Sequence, residues 1–499
     1  MPLLYLILAL PLIAAQGYLL PLSSSDPNSQ ATAVATLVAL ALIFFLVVGR
    51  VLSESVDKAI NDRLPLQLAF AILLTLLMFT PTWYYFHVAA AQFRAYPATR
   101  ALPFEAALVD DPASLGPALA LISDTHITDR KATLENQYNG PSKLRRTFAL
   151  MNSVGPTVSI VAGDLTDRGA QSEWQLFASL LGEYNRRRRA IDGGAVTLLV
   201  PGNHDLQGSP FDQRKEVVNR SSGVVDRHVF TVPYLVRERR FAELVNEGGG
   251  FGVGAGAFFA ANFSKRVGEI ENDAAKMKFQ AIMLPTSRGG EQDVRYIANY
   301  PLGFEEKVGQ AEELFVSRFP VLHEDVGTGI GLALLDSSTR ISPGASMGLG
   351  SLGRPQLQRL DAYLEALVAS DRPIRSLVVV LHHAPVRREA DIWSMSELAR
   401  KRGYSDVWAH TFLALDARDA QELVAILKKH ARARSNRSNI QFVLAYGHRH
   451  ARPYLGRVEP EGVVTVLEVP SVIEQEPPGF WAAYAGSNGL TFKWLTTAP

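Results

Sequence analysis

The chain has 499 residues, of which 47% are hydrophobic and 20% are charged, a composition that excludes a disordered or low-complexity protein and a length that suits more than one domain. Lys and Arg number 50 against 49 Asp and Glu, so the net charge of +1 provides no overall field that would hold a polyanion such as duplex DNA. The absence of cysteine excludes disulfides and thiolate metal sites, so any metal must be held by oxygen or imidazole ligands.

Three apolar segments lie near residues 3–20, 31–48 and 64–86. The second and third contain no charged residue over lengths that approach or reach a membrane crossing, and the third ends in an aromatic cluster suited to lipid headgroups. The sequence therefore predicts a membrane anchor, residues 1–102, with about three transmembrane helices. Buried core helices are the alternative for all three segments, and a cleaved signal peptide is a further alternative for the first.

Basic residues predict the orientation of this anchor. Arg50, Lys58 and Arg63 lie between the second and third segments and mark that loop as cytoplasmic, because cytoplasmic loops carry an excess of Lys and Arg. The third span would then exit on the external, periplasmic side of a bacterial-type inner membrane. Arg94 and Arg100 follow that span and weigh against this assignment.

From about residue 103 onward, short aliphatic runs alternate with amphipathic stretches, which is the pattern of an α/β domain. The predicted strands cover residues 118–123, 157–162, 196–200, 331–335, 377–381, 440–446 and 463–469, and the predicted helices cover 142–153, 172–185, 355–369 and 420–430. More than a hundred residues separate the third strand from the fourth, far more than an ordinary loop. We therefore expect an insertion at about 207–328 with structure of its own, placed to act as a substrate-selecting lid.

A short polar motif follows each of five predicted strands. The motifs are DTH at 124–126, GDLTDRG at 163–169, PGNHD at 201–205, HHAP at 382–385 and GHRH at 447–450. The carboxyl ends of strands in an open α/β sheet meet in one crevice, and carboxylate, imidazole and amide ligands suit Mn, Fe, Co or Zn. A single Asp or His after a strand is more often a helix cap or turn residue. Six of the eleven histidines lie in these motifs, however, and core packing does not require that clustering.

In this order, the five motifs resemble those of the calcineurin-like metallophosphoesterase superfamily. The resemblance covers roughly residues 118–453 and implies that residues 103–499 form a four-layer αββα sandwich of two mixed sheets, preceded by the transmembrane helices. It also implies two divalent metal ions, Mn, Fe, Zn or Co. Asp124, His126, Asp164 and His450 would hold the first ion, and Asp164, Asn203, His448 and His382 the second. The first histidine of His-x-x-Pro is the usual ligand, which favours His382 over His383.

The same resemblance implies a mechanism, in which a hydroxide that bridges the two ions attacks a phosphomonoester or a phosphodiester. His204 would act at the leaving-group oxygen with Asp205 to orient it. Arg168 would clamp a phosphate oxygen, and Asp167 would fix Arg168 or His204. A structural ion pair at a helix start is an equal alternative for Asp167 and Arg168.

These predictions describe a membrane-anchored phosphatase or phosphodiesterase with a binuclear metal site. Its partner is a phosphate-ester substrate; membrane attachment favours a lipid-linked one, although no residue encodes that choice. A nuclease of the same superfamily is one alternative, but the chain lacks the basic groove that follows a nucleic-acid backbone. A non-catalytic membrane scaffold or sensor is the other, and its expected signature is the loss of ligands.

Overall fold

The structure, a computed structural model, describes residues 95–108, 116–128, 140–192, 196–206, 224–225, 228–247, 255–276, 278–285, 292–338, 350–388, 414–433, 439–450, 452–475 and 477–496. Within these ranges, no helix combines the length and the apolar character that a membrane crossing needs. The three predicted spans, near residues 3–20, 31–48 and 64–86, lie outside the described residues.

The chain divides into two compact units, Met1–Tyr96 with Arg387–Thr411, and Pro97–Val386 with Phe412–Pro499. The described part of the first unit is small. It includes a two-residue strand, Arg387–Arg388, and a hydrogen bond of 3.2 Å from Arg387 Nε to the Tyr96 carbonyl. The second unit contains the five polar motifs.

Strands and helices alternate along the second unit, as the sequence predicts. In chain order, and with the short strand of the first unit as β12, the described strands are β1 (Ala98–Ala101), β2 (Glu105–Leu108), β3 (Leu119–Ile122), β4 (Val158–Ala162), β5 (Val196–Val200), β6 (Val224–Val225), β7 (Lys278–Pro285), β8 (Gln292–Asn299), β9 (Val321–Asp325), β10 (Ile330–Leu334), β11 (Ser376–Leu381), β12 (Arg387–Arg388), β13 (Gln441–Tyr446), β14 (Tyr454–Val458), β15 (Val464–Glu468), β16 (Gly479–Gly486) and β17 (Gly489–Thr496). The described helices are α1 (Gly140–Val154), α2 (Gln171–Asp192), α3 (Asn203–Leu206), α4 (His228–Glu247), α5 (Ala255–Ala275), α6 (Phe304–Val316), α7 (Arg354–Ala369) and α8 (Ala417–Arg432).

Two mixed sheets dominate the second unit. The first has the strand order β1-β14-β15-β13-β11-β10-β9, with β10, β11, β13 and β15 parallel to one another. The second has the order β2-β17-β16-β3-β4-β5, with β3, β4 and β5 parallel. All six residues of β11 and all five of β4 are buried, as expected of parallel strands covered on both faces. The two mixed sheets confirm the α/β prediction.

The helices of this unit follow ordinary helical signals. In α7, Leu357, Leu360, Leu364 and Leu367 recur three or four residues apart and are all buried, so one stripe of the helix faces the core. Helix α8 begins after Asp416, whose side chain accepts hydrogen bonds from the first turn, a standard N-cap.

The segment predicted as an insertion does carry structure of its own. It contains α4, α5 and α6, together with a small sheet of order β6-β8-β7. The helices share an aromatic core, in which the ring of Phe315 lies 6.4 Å from that of Phe241 and 5.5 Å from that of Phe263. Strand β9 lies within the predicted limits of 207–328, yet it pairs with β10 in the first large sheet.

Candidate metal centre

The five polar motifs follow β3, β4, β5, β11 and β13, and the structure brings them together where the two large sheets meet. Hydrogen bonds join these strand ends. His382 Nδ1 donates to the Ala162 carbonyl at 3.0 Å, which links β11 to β4, and the Gly447 amide donates to the His382 carbonyl at 3.1 Å. The predicted convergence of the motifs is therefore present in the fold.

The backbone at these strand ends is strained. Six non-glycine residues of the described chain have a positive φ, and five of them are predicted metal ligands. The five are Asp124 (52°), His126 (37°), Asp164 (47°), His448 (70°) and His450 (50°). L-residues rarely adopt this conformation, and where they do, the surrounding structure must enforce it, which is common at functional sites. The surrounding structure therefore holds these loops in a backbone conformation that is locally unfavourable.

Gly202 shows how closely these loops approach one another. A Cβ atom at this position would lie 2.1 Å from Asp164 Oδ1 and 2.2 Å from the Asp164 amide nitrogen. No side chain fits there, so the glycine of the PGNHD motif is required by the position of Asp164 and not by turn geometry alone.

The substitution Gly202→Ala is therefore expected to displace Asp164 and to destabilise the fold by about 1–3 kcal/mol, as overpacking does. Gly268→Ala is the matched control, because a Cβ there, within α5, meets no atom within 4 Å and alanine favours a helix by about 1 kcal/mol. Thermal unfolding of both variants, with and without added Mn, measures the effect. Equal midpoints for the two variants would contradict the close approach.

A first group of metal-ligand type comprises Asp124, His126 and His450. His126 Nε2 lies 3.0 Å from His450 Nε2, and His450 Nε2 lies 3.1 Å from Asp124 Oδ1. Two atoms each about 2.1 Å from one metal ion are about 3.0–3.4 Å apart. These spacings match those of ligands around a single ion.

A second group comprises Asp164, His382 and His448. His382 Nε2 lies 3.1 Å from Asp164 Oδ2 and 3.0 Å from His448 Nδ1. The same Asp164 oxygen lies 3.5 Å from His126 Nε2 of the first group. Asp164 therefore lies between the two groups, in the position that the resemblance implies for a shared carboxylate.

Hydrogen bonds on the far side of two imidazoles fix which nitrogen faces the site. A carbonyl oxygen can only accept, so His382 Nδ1 carries the proton that it donates to Ala162. His450 Nδ1 donates to Glu474 Oε1 at 2.9 Å. In both rings Nε2 is left to bind an ion, which is the usual arrangement of metal-binding histidines.

Buried atoms of the predicted ligands also indicate that this site can hold two divalent ions. Two buried oxygen atoms of predicted ligands, Asp124 Oδ1 and Asn203 Oδ1, make no hydrogen bond to the described residues. Asp124 Oδ1 has an ion-pair contact of 3.1 Å to His450 Nε2. Buried polar atoms are normally satisfied, and an ion in each of the two sites would satisfy these two oxygens. Carboxylate, imidazole and amide donors without sulfur are suited to Mn, Fe, Co or Zn.

Electrostatics keeps the carboxylates of this site ionised. Burial raises the pKa of Asp164, but the charges of His382 and His204 outweigh burial and hold the pKa well below its usual range. Burial likewise lowers the pKa of His450, whereas the charge of Asp124 and the bond to Glu474 raise it to about 10. An anionic carboxylate at the centre of the site is the state in which it binds a dication.

The four residues predicted to act on substrate are placed differently from one another. His204 joins His126 and Asp164 in a third group, and its Nδ1 donates to the Asp167 carbonyl at 2.6 Å. Asp167 Oδ1 also lies near both imidazoles, 3.7 Å from His126 Nδ1 and 3.8 Å from His204 Nδ1. His204 and Asp167 therefore belong to the site.

Asp205 does not orient the His204 imidazole as expected. Its buried carboxylate accepts hydrogen bonds from the amides of Leu165, Thr166 and Gly202 and from the Thr166 hydroxyl. Burial and the charge of Asp164 raise the pKa of Asp205 to about 7. Asp205 ties the loop that carries Asp164 to the loop that carries Asn203.

Arg168 is held by a residue that the sequence analysis did not single out. Its Nε and Nη2 contact Glu173 Oε1 at 2.9 and 2.8 Å, and its amide donates to Glu173 Oε2. Asp167 Oδ2 is farther away, at 3.8 Å. This geometry favours the structural ion pair at a helix start, with Glu173 of α2 as the principal partner.

Residues 118–267 match the family model described as Calcineurin-like phosphoesterase. A dimetal phosphatase from Danio rerio aligns with a TM-score of 0.34 and 13% identity over 77% of this chain and 100% of that chain. The purple acid phosphatase PPD1 of yellow lupin, Lupinus luteus, aligns with a TM-score of 0.32 and 9% identity over 76% and 56%. No curated protein matches the chain.

The match to the Calcineurin-like phosphoesterase model is confined to residues 118–267. The match covers less than a third of the chain, and within that segment it confirms the predicted resemblance. Together with the grouped ligands, it supports a metal-dependent phosphoesterase with a binuclear divalent metal site.

Proposed function

We propose that this chain is a membrane-anchored hydrolase that cleaves phosphomonoester or phosphodiester bonds with two divalent metal ions. The main support is the position of Asp164, whose Oδ2 lies 3.1 Å from His382 Nε2 and 3.5 Å from His126 Nε2. One carboxylate would thereby be shared by two groups of imidazole and carboxylate ligands, in a chain that matches a phosphoesterase family model over residues 118–267.

Asp124, His126, Asp164 and His450 would hold one ion, and Asp164, Asn203, His382 and His448 the other. When bound, two such ions supply Lewis acidity toward the phosphoryl oxygens and make water a nucleophile near neutral pH. The protein's own contribution is to hold these donors at fixed spacing through strained loops and buried hydrogen bonds, so that little reorganisation accompanies the reaction.

His204 is the residue of the site best placed to act on the leaving group. Its side chain keeps 26% of its surface exposed, whereas His382 is fully buried. The Asp167 carbonyl accepts from Nδ1, which leaves Nε2 of the imidazolium form as the atom that gives a proton to a departing oxygen.

The substitution His204→Asn is expected to slow hydrolysis of phenyl phosphate by about 10²-fold or more. The loss should be much smaller for a dinitrophenyl phosphate, whose leaving group needs no proton. Rates for a series of aryl phosphates, at saturating Mn, measure this difference. Equal losses across the series would instead assign His204 to metal binding or to structure.

Membrane attachment is the part of the proposal that rests on sequence alone, on the uncharged runs near residues 31–48 and 64–86. The basic loop at 50–63 supports a position of the catalytic domain on the external face of a bacterial-type inner membrane. Retention of the chain in carbonate-washed membranes, with the domain open to protease added outside spheroplasts, tests both points. Release by carbonate, or protection from the protease, would overturn them.

A substrate screen tests the reaction itself. The Mn-loaded protein is expected to hydrolyse one or more of a panel of phosphomonoesters, cyclic nucleotides and phospholipid headgroup esters, and to lose that activity on chelation. Single-stranded DNA in the same panel tests the nuclease alternative. A nuclease would cleave the DNA, and its binding to the DNA backbone would fall steeply with salt. Two bound ions without hydrolysis of any ester would favour the scaffold.

A further inference from the structure

We propose that Glu474 is a positioning residue for the metal centre, which acts by holding the His450 imidazole and tuning its strength as a ligand. This inference rests on the proposed two-ion site. Glu474 lies outside all five polar motifs and follows β15 by six residues.

The contact between the two residues is direct and sheltered. His450 Nδ1 lies 2.9 Å from Glu474 Oε1, and the two side chains are only 10% and 12% exposed. A carboxylate is the strongest hydrogen-bond acceptor that the far side of a ligand imidazole can have. It fixes the tautomer with Nε2 toward the ion, and it makes that nitrogen more basic.

His450 differs in this respect from His382 and His126. His382 Nδ1 donates to a neutral carbonyl, that of Ala162. His126 Nδ1 lies 3.7 Å from Asp167 Oδ1, beyond hydrogen-bond distance. The effect of Glu474 should therefore be confined to the ion held by Asp124, His126 and His450.

The segment that carries Glu474 is held on both sides. Lys143 of α1 donates to the carbonyls of Ile473 at 2.7 Å and Gln475 at 3.3 Å, the two neighbours of Glu474. The Ser471 hydroxyl donates to the Asp124 carbonyl at 3.0 Å. The segment 471–475 is thus fastened both to α1 and to the loop of the first metal ligand, and Glu474 reaches His450 already in position.

Isothermal calorimetry of Mn binding to the metal-stripped full chain, purified in detergent, tests this role. Glu474→Gln keeps the size and an acceptor oxygen but removes the charge. We expect it to weaken binding of one of the two ions by about 10–100-fold, the usual effect of losing such a partner, and to leave the other ion within about twofold. Glu422→Gln is the control, because Glu422 is exposed on α8.

Lys143→Met provides a second test that leaves the carboxylate in place. Loosening the segment 471–475 should weaken the same ion by a smaller factor. Wild-type affinity for both ions in Glu474→Gln would overturn the inference, as would an equal loss at both ions together with a lower unfolding midpoint of the stripped protein, which is the result of a purely structural role. If the wild-type chain binds no Mn, the proposed function fails instead.

Discussion

Replacing Asp164 with Asn is expected to lower kcat/KM by about 10³-fold or more, because a bridging anion supports several kcal/mol of metal-ion catalysis. Asn keeps the shape of the side chain and an oxygen to accept from the His204 amide, which lies 2.9 Å from Asp164 Oδ1. It removes the charge that offsets the repulsion between two dications. Bound Mn, measured by mass spectrometry of the desalted protein, should fall from two ions per chain to one or none.

Asp416→Asn is the matched control for this substitution. Asp416 caps α8 through its side chain, and Asn is as good a cap as Asp. Two Mn ions and unchanged turnover are expected in this variant. Full activity in Asp164→Asn would contradict the shared role of this carboxylate.

His382 and His383 are neighbours in the sequence, yet we expect their substitutions to have very different effects on bound metal and activity. His382→Asn is expected to lose one ion and at least about 10²-fold in activity. The reason is that the ion held with Asp164 and His448 would lose one of its ligands, and metal-ion catalysis needs both ions. His383→Asn should keep both ions, since its Nδ1 bonds to the Ser337 hydroxyl at 2.8 Å and the ligand group of Asp164 contains His382.

Both histidines are fully buried, so stability must be measured beside activity. His383→Asn is expected to lower the free energy of unfolding by about 1–3 kcal/mol through the disturbed hydrogen bond to Ser337. Assays well below the unfolding midpoint separate that loss from metal binding. An ion lost in His383→Asn and kept in His382→Asn would reverse the assignment.

The buried parallel strands could be predicted from the sequence, because strands covered on both faces are nearly continuous aliphatic runs. The strand predicted at 196–200 is observed as Val196–Val200. The strand predicted at 331–335 is observed one residue earlier, as Ile330–Leu334. Helix boundaries depend on distant contacts and were less predictable. Helix α2 was expected to end at residue 185, yet it runs to Asp192, where the buried Arg188 donates to the Pro156 carbonyl at 3.0 Å.

In the site as well, residues in local sequence motifs could be predicted, whereas residues that act through contacts distant in sequence could not. The predicted ligands sit in short motifs directly after buried strands, so their positions follow from the strands. Glu474 and Glu173 act through contacts to residues elsewhere in the chain, and no local pattern marks them. Asp205 was expected to orient its neighbour His204, but burial directs its carboxylate to the backbone amides of another loop instead.

The two-ion site is tested most directly by a crystal structure of the Mn-loaded chain, with diffraction recorded at the Mn absorption edge. We expect two anomalous peaks about 3.5–4 Å apart, with the Asp164 carboxylate in contact with both. A single peak, or two peaks with Asp164 turned away from them, would contradict it.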